Sequence, residues 1–384
     1  MTDTTPDTTP ITMTQPDLAF EAADVPALRR DLLAWVRDGR GHAFHSLMSL
    51  NAGTLFGRPD LDGHRGLMRS YAGMLCAQEA RTLAEAELYY VTGEMTAIVH
   101  AAAETMPAFA PSADDFPTTS GFIVFQQPLL TCRRPEHTAA VFINGRLAVD
   151  ARDKPYEDVD IIACSWGPWN AGGQWTHGGV FMSFYRDRRA VLEGLVDDRL
   201  AAGLRSDYAP LVPDNEYGIA FDPARRAQLE QELTEHDNLD YTSHWAKRLL
   251  TTLLLMRQPL IYQRTEPIRR GLRRQLERAG QPTRDILILD ARPRRYETTA
   301  TPSAPGEQGH GQADESAPDV QGRKLAVRVP VRGFWRNQWY PSRQVHRPLW
   351  IDPHWRGPED APIVHPERVR VLRHHPDQDG APTP

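Results

Sequence analysis

The sequence has little cysteine and lacks the motifs by which common enzyme classes are recognised. Its three cysteines are odd in number and widely spaced; this excludes a disulfide framework and a zinc knuckle, and it fits a reducing compartment. There is no G-x-x-x-x-G-K-[ST], no G-x-G-x-x-G after a strand, no H-E-x-x-H, no G-x-S-x-G and no C-x-x-C. The easily recognised NTPases, zinc proteases, serine hydrolases and thiol redox enzymes are therefore excluded, and we expect no cofactor.

Long hydrophobic runs are also missing. The longest apolar stretch, residues 249–256, is far shorter than the roughly 20 residues that a membrane span needs. Residues 1–20 are rich in Thr, Pro and Asp and have neither the basic nor the apolar region of a signal peptide. We therefore predict a disordered N-terminal tail, a cytoplasmic protein and no membrane partner.

Composition divides the chain into several parts. Residues 297–320 contain no Lys, no Arg and no aromatic residue, which is typical of a flexible linker. Short β-branched runs follow it, at a length where a hydrophobic core is marginal. The predicted organisation is a tail (1–20), a body (21–295), a linker (296–322), a small basic β module (323–375) and a second tail (376–384).

Within the body, the pattern predicts an α+β fold. Leu28, Leu32 and Val36 recur at helical spacing, and the region 21–110 is predicted to be helical throughout. Runs of β-branched and aromatic residues over 115–190 predict an antiparallel sheet of about four strands. One hairpin turn is predicted at Asn144-Gly145. Helices are predicted again over 222–280, and a buried strand over 285–290.

The charge is unevenly distributed. Residues 323–375 carry 11 Lys or Arg and four Asp or Glu, and the final tail adds two aspartates. Because the whole chain has a net charge of −6 and residues 323–384 carry +5, residues 1–322 carry −11. A basic module attached to an acidic body favours a polyanionic partner for the module.

The module also concentrates aromatic residues. Residues 334–357 hold four of the nine tryptophans, four arginines and two histidines. Such side chains can stack on bases and hold phosphates, although a module this small also needs tryptophans for its own core. The predicted nucleic-acid contacts in this segment are Arg336, Trp339, Arg343, Arg347, Trp350, Trp355 and Arg356.

A second cationic stretch lies in the body. Arg269 and Arg273, and likewise Arg270 and Arg274, are four residues apart in a predicted helix, so that they form a ridge along one side of it. This ridge is a candidate to lie along a phosphate backbone. The alternative is a solvated helix face that balances the acidic body.

Two further sets have weaker catalytic or metal-binding patterns. Cys164 and His177 flank a glycine-rich turn, and they would form a nucleophile–base pair if two strands brought them together; the alternative is a buried cysteine. His236, Asp240 and His244 are four residues apart and would align as metal ligands on a helix, but the residues between them favour a loop. No metal site is therefore predicted.

The C-terminal segment "VRGFWRNQWYPSRQVHRPLWIDPHWRGPEDAPI", residues 331–363, resembles a signature of uncharacterised proteins of actinobacteria and their phages and mobile elements. The preceding "LLLMRQPLIYQRTEPIRRGLRRQLERAG" and "DILILDAR" are similar to the segments that accompany it. Together they cover about the last third of the chain. The resemblance implies a mobile-element context and a role related to nucleic acid, but it implies no activity.

Three functions follow as hypotheses. The first is a nucleic-acid-binding accessory or regulatory protein that contacts DNA or RNA through the basic module. The second is an enzyme or toxin-like effector with a site near Cys164 and His177. The third is a protein–protein adaptor whose tryptophans form binding hot spots.

Overall fold

The computed structural model describes a large part of the chain, with gaps between the described segments. Those segments are residues 20–38, 45, 49, 59–107, 109–135, 140–143, 146–149, 156–170, 177–193, 202–203, 205, 208–233, 242–258, 261–291, 328–341, 345–351, 353–356, 358 and 362.

The described residues contain α-helices, short 3-10 turns and strands. The helices are α1 (Val25–Arg37), α2 (Arg65–Glu85), α3 (Gly93–Glu104), α4 (Arg188–Glu193), α5 (Arg226–Glu232), α6 (Thr242–Met256) and α7 (Arg270–Arg278). The strands are β1 (Glu87–Val91), β2 (Gly121–Phe125), β3 (Leu130–Pro135), β4 (Ala140–Ile143), β5 (Arg146–Val149), β6 (Tyr156–Ile161), β7 (Ala163–Trp169), β8 (Gly179–Asp187), β9 (Leu211–Ala220), β10 (Ile261–Glu266), β11 (Ile286–Ala291), β12 (Val329–Val331), β13 (Phe334–Tyr340), β14 (Val345–Ile351) and β15 (His354–Arg356).

Seven strands form one mixed sheet in the order β10-β11-β1-β2-β7-β8-β9. Strand β1 pairs in parallel with both β2 and β11, and the remaining pairs of this sheet are antiparallel. The chain passes from β1 through α3 to β2, and such a crossover makes parallel pairing feasible. The α+β class is confirmed. Strands that both lie within the predicted sheet region 115–190 pair antiparallel as expected, whereas the parallel pairs arise where β1, which lies outside that region, joins β2 and β11.

Helices cover both faces of this sheet. Alternate residues of a strand point to opposite faces, and in β1 Tyr89 packs with α3 and α6 while Tyr90 packs with α1. Helix α7 lies on the same side as α1, because its buried Leu276 belongs to that second cluster. The sheet is thus the middle of three layers, and each helix packs against one face of it.

The predicted helical region 21–110 contains a strand that the sequence does not predict. Residues 87–91, "ELYYV", form a nearly completely buried strand between two others of the sheet. The flanking alanines and glutamates favour helix, but the aromatic and β-branched residues of this short run gain more from burial on both faces. Tertiary context here overrides the local helical pattern.

Two more strands of the sheet lie where no strand is predicted. Strand β9 contains Pro213 within "LVPDNEYGIA" and lies at the edge of the sheet, next to a register shift between Phe184 and Tyr185 of β8. Proline is tolerated at such an edge or bulge because no ladder hydrogen bond is needed there. Strand β10 is the opposite edge and exposes most of its residues, so its sequence lacks the apolar run of a buried strand.

Two local predictions are confirmed. Strands β4 and β5 pair antiparallel from Ala140↔Val149 to Ile143↔Arg146, as the predicted hairpin requires; Asn144 and Gly145 themselves lie outside the described residues. The predicted strand 285–290 corresponds to β11 (Ile286–Ala291), which is shifted by one residue toward the C-terminus.

The C-terminal strands divide differently from the predicted module. One compact unit comprises residues 1–294 together with 335–350, and a second comprises 295–334 together with 351–384. The hairpin of β13 and β14 therefore belongs mostly to the body, while the small sheet of β12 and β15 belongs to the second unit. The predicted module boundary at residue 323 does not coincide with the compact units. The reason is that Trp350 is buried in the core of the body and Trp335 packs against that core.

Candidate functional site

The β13–β14 hairpin is fixed to the body by Trp335 and Trp350. Trp350 is 7% exposed and is part of the core cluster that includes α3 and α6. Trp335 packs against the same cluster, lies edge-on to Trp350 with ring centroids 5.3 Å apart, and donates a hydrogen bond from Nε1 to the carbonyl of Ala102 at 2.7 Å. Trp350, a predicted nucleic-acid contact, is therefore a structural anchor.

Arg347 makes a third attachment. Its guanidinium donates to the buried carboxylate of Asp115 and to the hydroxyl of Ser112, and it lies 5.7 Å from the ring centroid of Phe109. A charge that is paired in this way has little capacity left for a phosphate. Arg347 therefore holds the hairpin in place and is not available as predicted.

Other side chains of the hairpin remain in solvent. Arg336 is exposed, Trp339 is 42% exposed and Tyr340 is 37% exposed. The ring of Trp339 lies 4.8 Å from that of the exposed His346. We call Arg336, Trp339, Tyr340 and His346 the hairpin surface. Within the described residues, Arg336 has no ion-pair partner.

The other predicted contacts of this segment are only partly placed. Arg343 lies outside the described residues. Trp355 and Arg356 lie on β15 in the second compact unit, where Arg356 is exposed. The hairpin surface is consequently the part of the predicted site that the structure brings together.

The arginine ridge of α7 is partly neutralised and lies elsewhere. Arg273 pairs with Asp285 at 2.8 Å, and Arg269 approaches Glu21 and Asp24 at 3.9 and 3.8 Å. Arg270 and Arg274 are exposed. Helix α7 packs on the sheet face opposite to that of Trp350. The arginines of α7 and the hairpin surface therefore do not form one continuous cationic surface.

The structure does not bring Cys164 and His177 together. Cys164 is completely buried near the start of β7, opposite Phe184, and burial raises its pKa well above the ordinary value. His177 precedes β8, at the end of the β7–β8 pair far from Cys164. Its side chain is exposed, and its Nδ1 lies 3.9 Å from Asp222 Oδ1. A thiol that is buried and remains protonated is a poor nucleophile, so this pair supplies no catalytic site.

The predicted metal-ligand set is only partly within the structure. His236 and Asp240 lie outside the described residues, and His244 is in the first turn of α6. A different cluster was missed by sequence reasoning: His45, Glu79 and Glu216 meet in the interior. These residues are far apart in sequence and belong to no motif, so only the fold reveals them.

The geometry of this cluster is that of a buried imidazolium between two carboxylates. Nε2 of His45 lies 2.7 Å from Glu79 Oε2, and Nδ1 lies 2.7 Å from Glu216 Oε1. A ring protonated on both nitrogens can donate to both carboxylates, and the ligand atoms of the three residues also lie within 4.8 Å of one another. Tyr185 extends the network by donating to Glu79 Oε1 at 2.7 Å.

The electrostatics agree with a charged His45. Burial alone would lower its pKa, but the carboxylate of Glu216 and hydrogen bonds to Cys76, Glu216 and Glu79 raise the pKa well above 6.5. Burial raises the pKa of Glu216 against the opposing influence of His45. The cluster joins His45 to α2 and β9 and is a structural connection within the body.

The fold and these sites define an α+β protein with a mixed seven-stranded sheet between helical layers and an aromatic, cationic hairpin on its surface. Throughout the described residues, no helix combines the length and apolar character of a membrane span. No protein-family model and no curated protein matches the chain. The chain is similar to the solved crystal structure of AcrVA2, at 12% identity and a TM-score of 0.32 over 86% of this chain and 94% of that one. A likeness this weak carries no inference.

Proposed function

We propose that the protein binds nucleic acid through the hairpin surface, as an accessory or regulatory protein of a phage or mobile element. The observation that carries the proposal is the combination, on an anchored hairpin, of exposed Trp339 and Tyr340 with Arg336, which has no ion-pair partner among the described residues. Aromatic side chains of this kind provide stacking platforms for unpaired bases, and arginine holds the backbone.

The local charge supports an anionic partner. Residues 323–351 contain seven Lys or Arg and no Asp or Glu. Arg347 is paired with Asp115, whereas the exposed Arg336 is available to bind a phosphate. The resemblance of residues 331–363 to actinobacterial and phage proteins adds the mobile-element context to this proposal.

Anchoring makes the hairpin surface suitable for binding. Trp335, Trp350 and Arg347 hold the hairpin to the body, so that the exposed rings are presented with little loss of conformational freedom on binding. The entropy cost of ordering the hairpin on binding is therefore small, and the contacts with the ligand have less of it to offset. Base stacking on one aromatic side chain contributes about 1–3 kcal/mol.

The test is binding of labelled single-stranded DNA and RNA of about 12 nucleotides, a length within the usual site size for such surfaces, measured by fluorescence anisotropy. Trp339→Ala is expected to weaken binding by about 1–3 kcal/mol. Tyr262→Ala is the matched control, because Tyr262 is a 48% exposed aromatic residue on the edge strand β10. Equal affinity of wild type and Trp339→Ala, or equal losses in both variants, would contradict the proposal.

A protein partner is the second candidate, favoured by the same exposed Trp339 and Tyr340, since Trp, Tyr and Arg dominate binding hot spots. It predicts association that changes little between low and moderate salt and no binding of either oligonucleotide. Charge-driven nucleic-acid binding weakens steeply with salt, so a salt titration separates the two candidates.

A further inference from the structure

A cavity of about 500 Å³ lies in the body between α2 and the ends of β7 and β8. Met74, Ala77, Gln78 and Arg81 of α2 line one wall, at the i, i+3, i+4 and i+7 spacing that places side chains on a single helix face. The volume falls in the range of small-molecule sites, roughly 300–1,000 Å³. The fold thus leaves a ligand-sized space beside a helix that is otherwise packed on the sheet.

The apolar part of the cavity is built from packed aromatic residues. Trp169 lines it and is itself fixed by Tyr71, with ring centroids 6.2 Å apart, and by Phe181 at 5.1 Å. Phe221 contributes a further ring, and its backbone N–H donates to the carbonyl of Gly178 at 3.0 Å. These walls are supported from behind, so the cavity is pre-formed.

The charges at the cavity have one sign. Arg81 is exposed and has no ion-pair partner among the described residues, and no Asp or Glu lines the cavity within that part of the chain. His177 contributes a second nitrogen-bearing side chain, oriented by Asp222. Asp222 accepts a hydrogen bond from the backbone N–H of Ala224 at 2.9 Å and is not itself a lining residue. A guanidinium without a partner is suited to a carboxylate or a phosphate.

We propose that this cavity binds a small ligand that has an aromatic or otherwise apolar body and one anionic group. Arg81 binds the anionic group, a carboxylate or a phosphate. Trp169, Phe221 and Met74 contact the body of the ligand. The site contains none of the hairpin surface, so it stands or falls independently of nucleic-acid binding.

The test uses two fluorescent probes that differ by one anionic group. 8-Anilinonaphthalene-1-sulfonate has an aromatic body with a sulfonate, and N-phenyl-1-naphthylamine is the same skeleton without it. We expect the full-length protein to bind the sulfonate at least about tenfold more tightly, in line with a charge-assisted contact. Arg81→Gln should remove this difference while leaving the affinity for the neutral probe unchanged.

Further variants separate the cavity from other apolar surfaces. Ala77→Trp fills the cavity from an exposed helix position and is expected to abolish binding of both probes. Arg69→Gln removes a charge from the same helix outside the cavity, and Trp339→Ala removes an exposed aromatic ring of the hairpin surface; both should bind like wild type. Equal affinities for the two probes, or an Arg81→Gln protein with wild-type affinity for the sulfonate, would overturn the proposal.

Competition then identifies the anion. 1-Naphthoate and 1-naphthyl phosphate are titrated against the bound sulfonate probe, and the tighter competitor shows whether the site prefers a carboxylate or a phosphate. Displacement by either supports the proposal. If neither displaces the probe at millimolar concentration, the cavity does not bind anions of this class.

Discussion

His45 has an unusual environment for a histidine. It is completely buried, and each of its ring nitrogens faces a carboxylate. The interaction holds the protein together only while the ring is charged, since the neutral ring has one N–H for two acceptors. Its ionisation therefore connects the stability of the body to pH.

We predict that the free energy of unfolding falls as pH rises above about 6.5. Unfolded His45 loses its proton near 6.5, whereas the folded pKa lies well above that value. In this window the native state binds more protons than the unfolded state, so stability decreases with pH; below 6.5 the contribution is complete. Urea unfolding between pH 6.5 and 9 measures the slope.

The variant for this prediction is His45→Gln, which should lower stability by about 3–5 kcal/mol at pH 6.5 by leaving buried carboxylates unpaired and should flatten the slope above it. His177→Gln is the control, because that side chain is 59% exposed. A wild-type stability that is constant over this window would contradict a charged His45.

Gly167 of β7 lies directly against Thr82 of α2, with no room for a side chain. A Cβ atom added there would lie 2.0 Å from the hydroxyl oxygen of Thr82 in α2. We predict that Gly167→Ala destabilises the protein by about 1–3 kcal/mol through overpacking and that adding Thr82→Ala recovers part of the loss. Gly73→Ala, on the same helix with nothing within 4 Å of the new methyl group, should be neutral or stabilising by about 1 kcal/mol. Thermal unfolding of the four proteins provides the comparison.

At the scale of elements, the hairpin and the strand β1 illustrate what the sequence could and could not predict. The cationic, aromatic pattern marks Trp339 and Trp350 alike as contact residues and does not tell which of them is exposed. The burial of Trp350 does not follow from it, because strand alternation within the hairpin carries no information about the body on which it packs. The strand structure of residues 87–91 is likewise not predictable from the local sequence, because it depends on partners at 121–125 and 286–291.

The two kinds of tryptophan on the hairpin should respond differently to mutation. Trp350→Ala removes a 7% exposed ring from the core and is expected to cost about 3–5 kcal/mol. Trp339→Ala removes a 42% exposed ring and should change stability by no more than about 0.5 kcal/mol. Urea unfolding monitored by circular dichroism distinguishes them. Similar losses in both variants would show that the hairpin does not use Trp350 as its anchor.

At the scale of the whole molecule, sequence composition distinguishes an acidic N-terminal part from a basic C-terminal segment, but it does not assign residues 335–350 to the same compact unit as the body. The reason is that charge and linker composition report on solvation, whereas this assignment depends on Trp335, Trp350 and Arg347 finding partners more than 200 residues earlier. The cavity beside α2 is likewise invisible in sequence, since Arg81 and Trp169 come from separate elements.

Deletion of residues 323–384 tests this division of the chain. An independent module could be removed without effect on the body, whereas loss of the hairpin uncovers the apolar surface beneath Trp350 and leaves the buried Asp115 without Arg347. We expect the truncated protein to unfold at a lower temperature than the full chain in scanning calorimetry. An unchanged midpoint would indicate that the hairpin contributes nothing to the body.

The central claim, that the hairpin surface binds a nucleic-acid backbone, is tested most directly by the salt dependence of oligonucleotide binding. The logarithm of the association constant for single-stranded DNA is measured against the logarithm of salt concentration for the wild type and for Arg336→Gln. Loss of one phosphate contact should make the slope shallower by about 0.7 and weaken binding at low salt. Identical slopes and affinities for the two proteins would contradict the account.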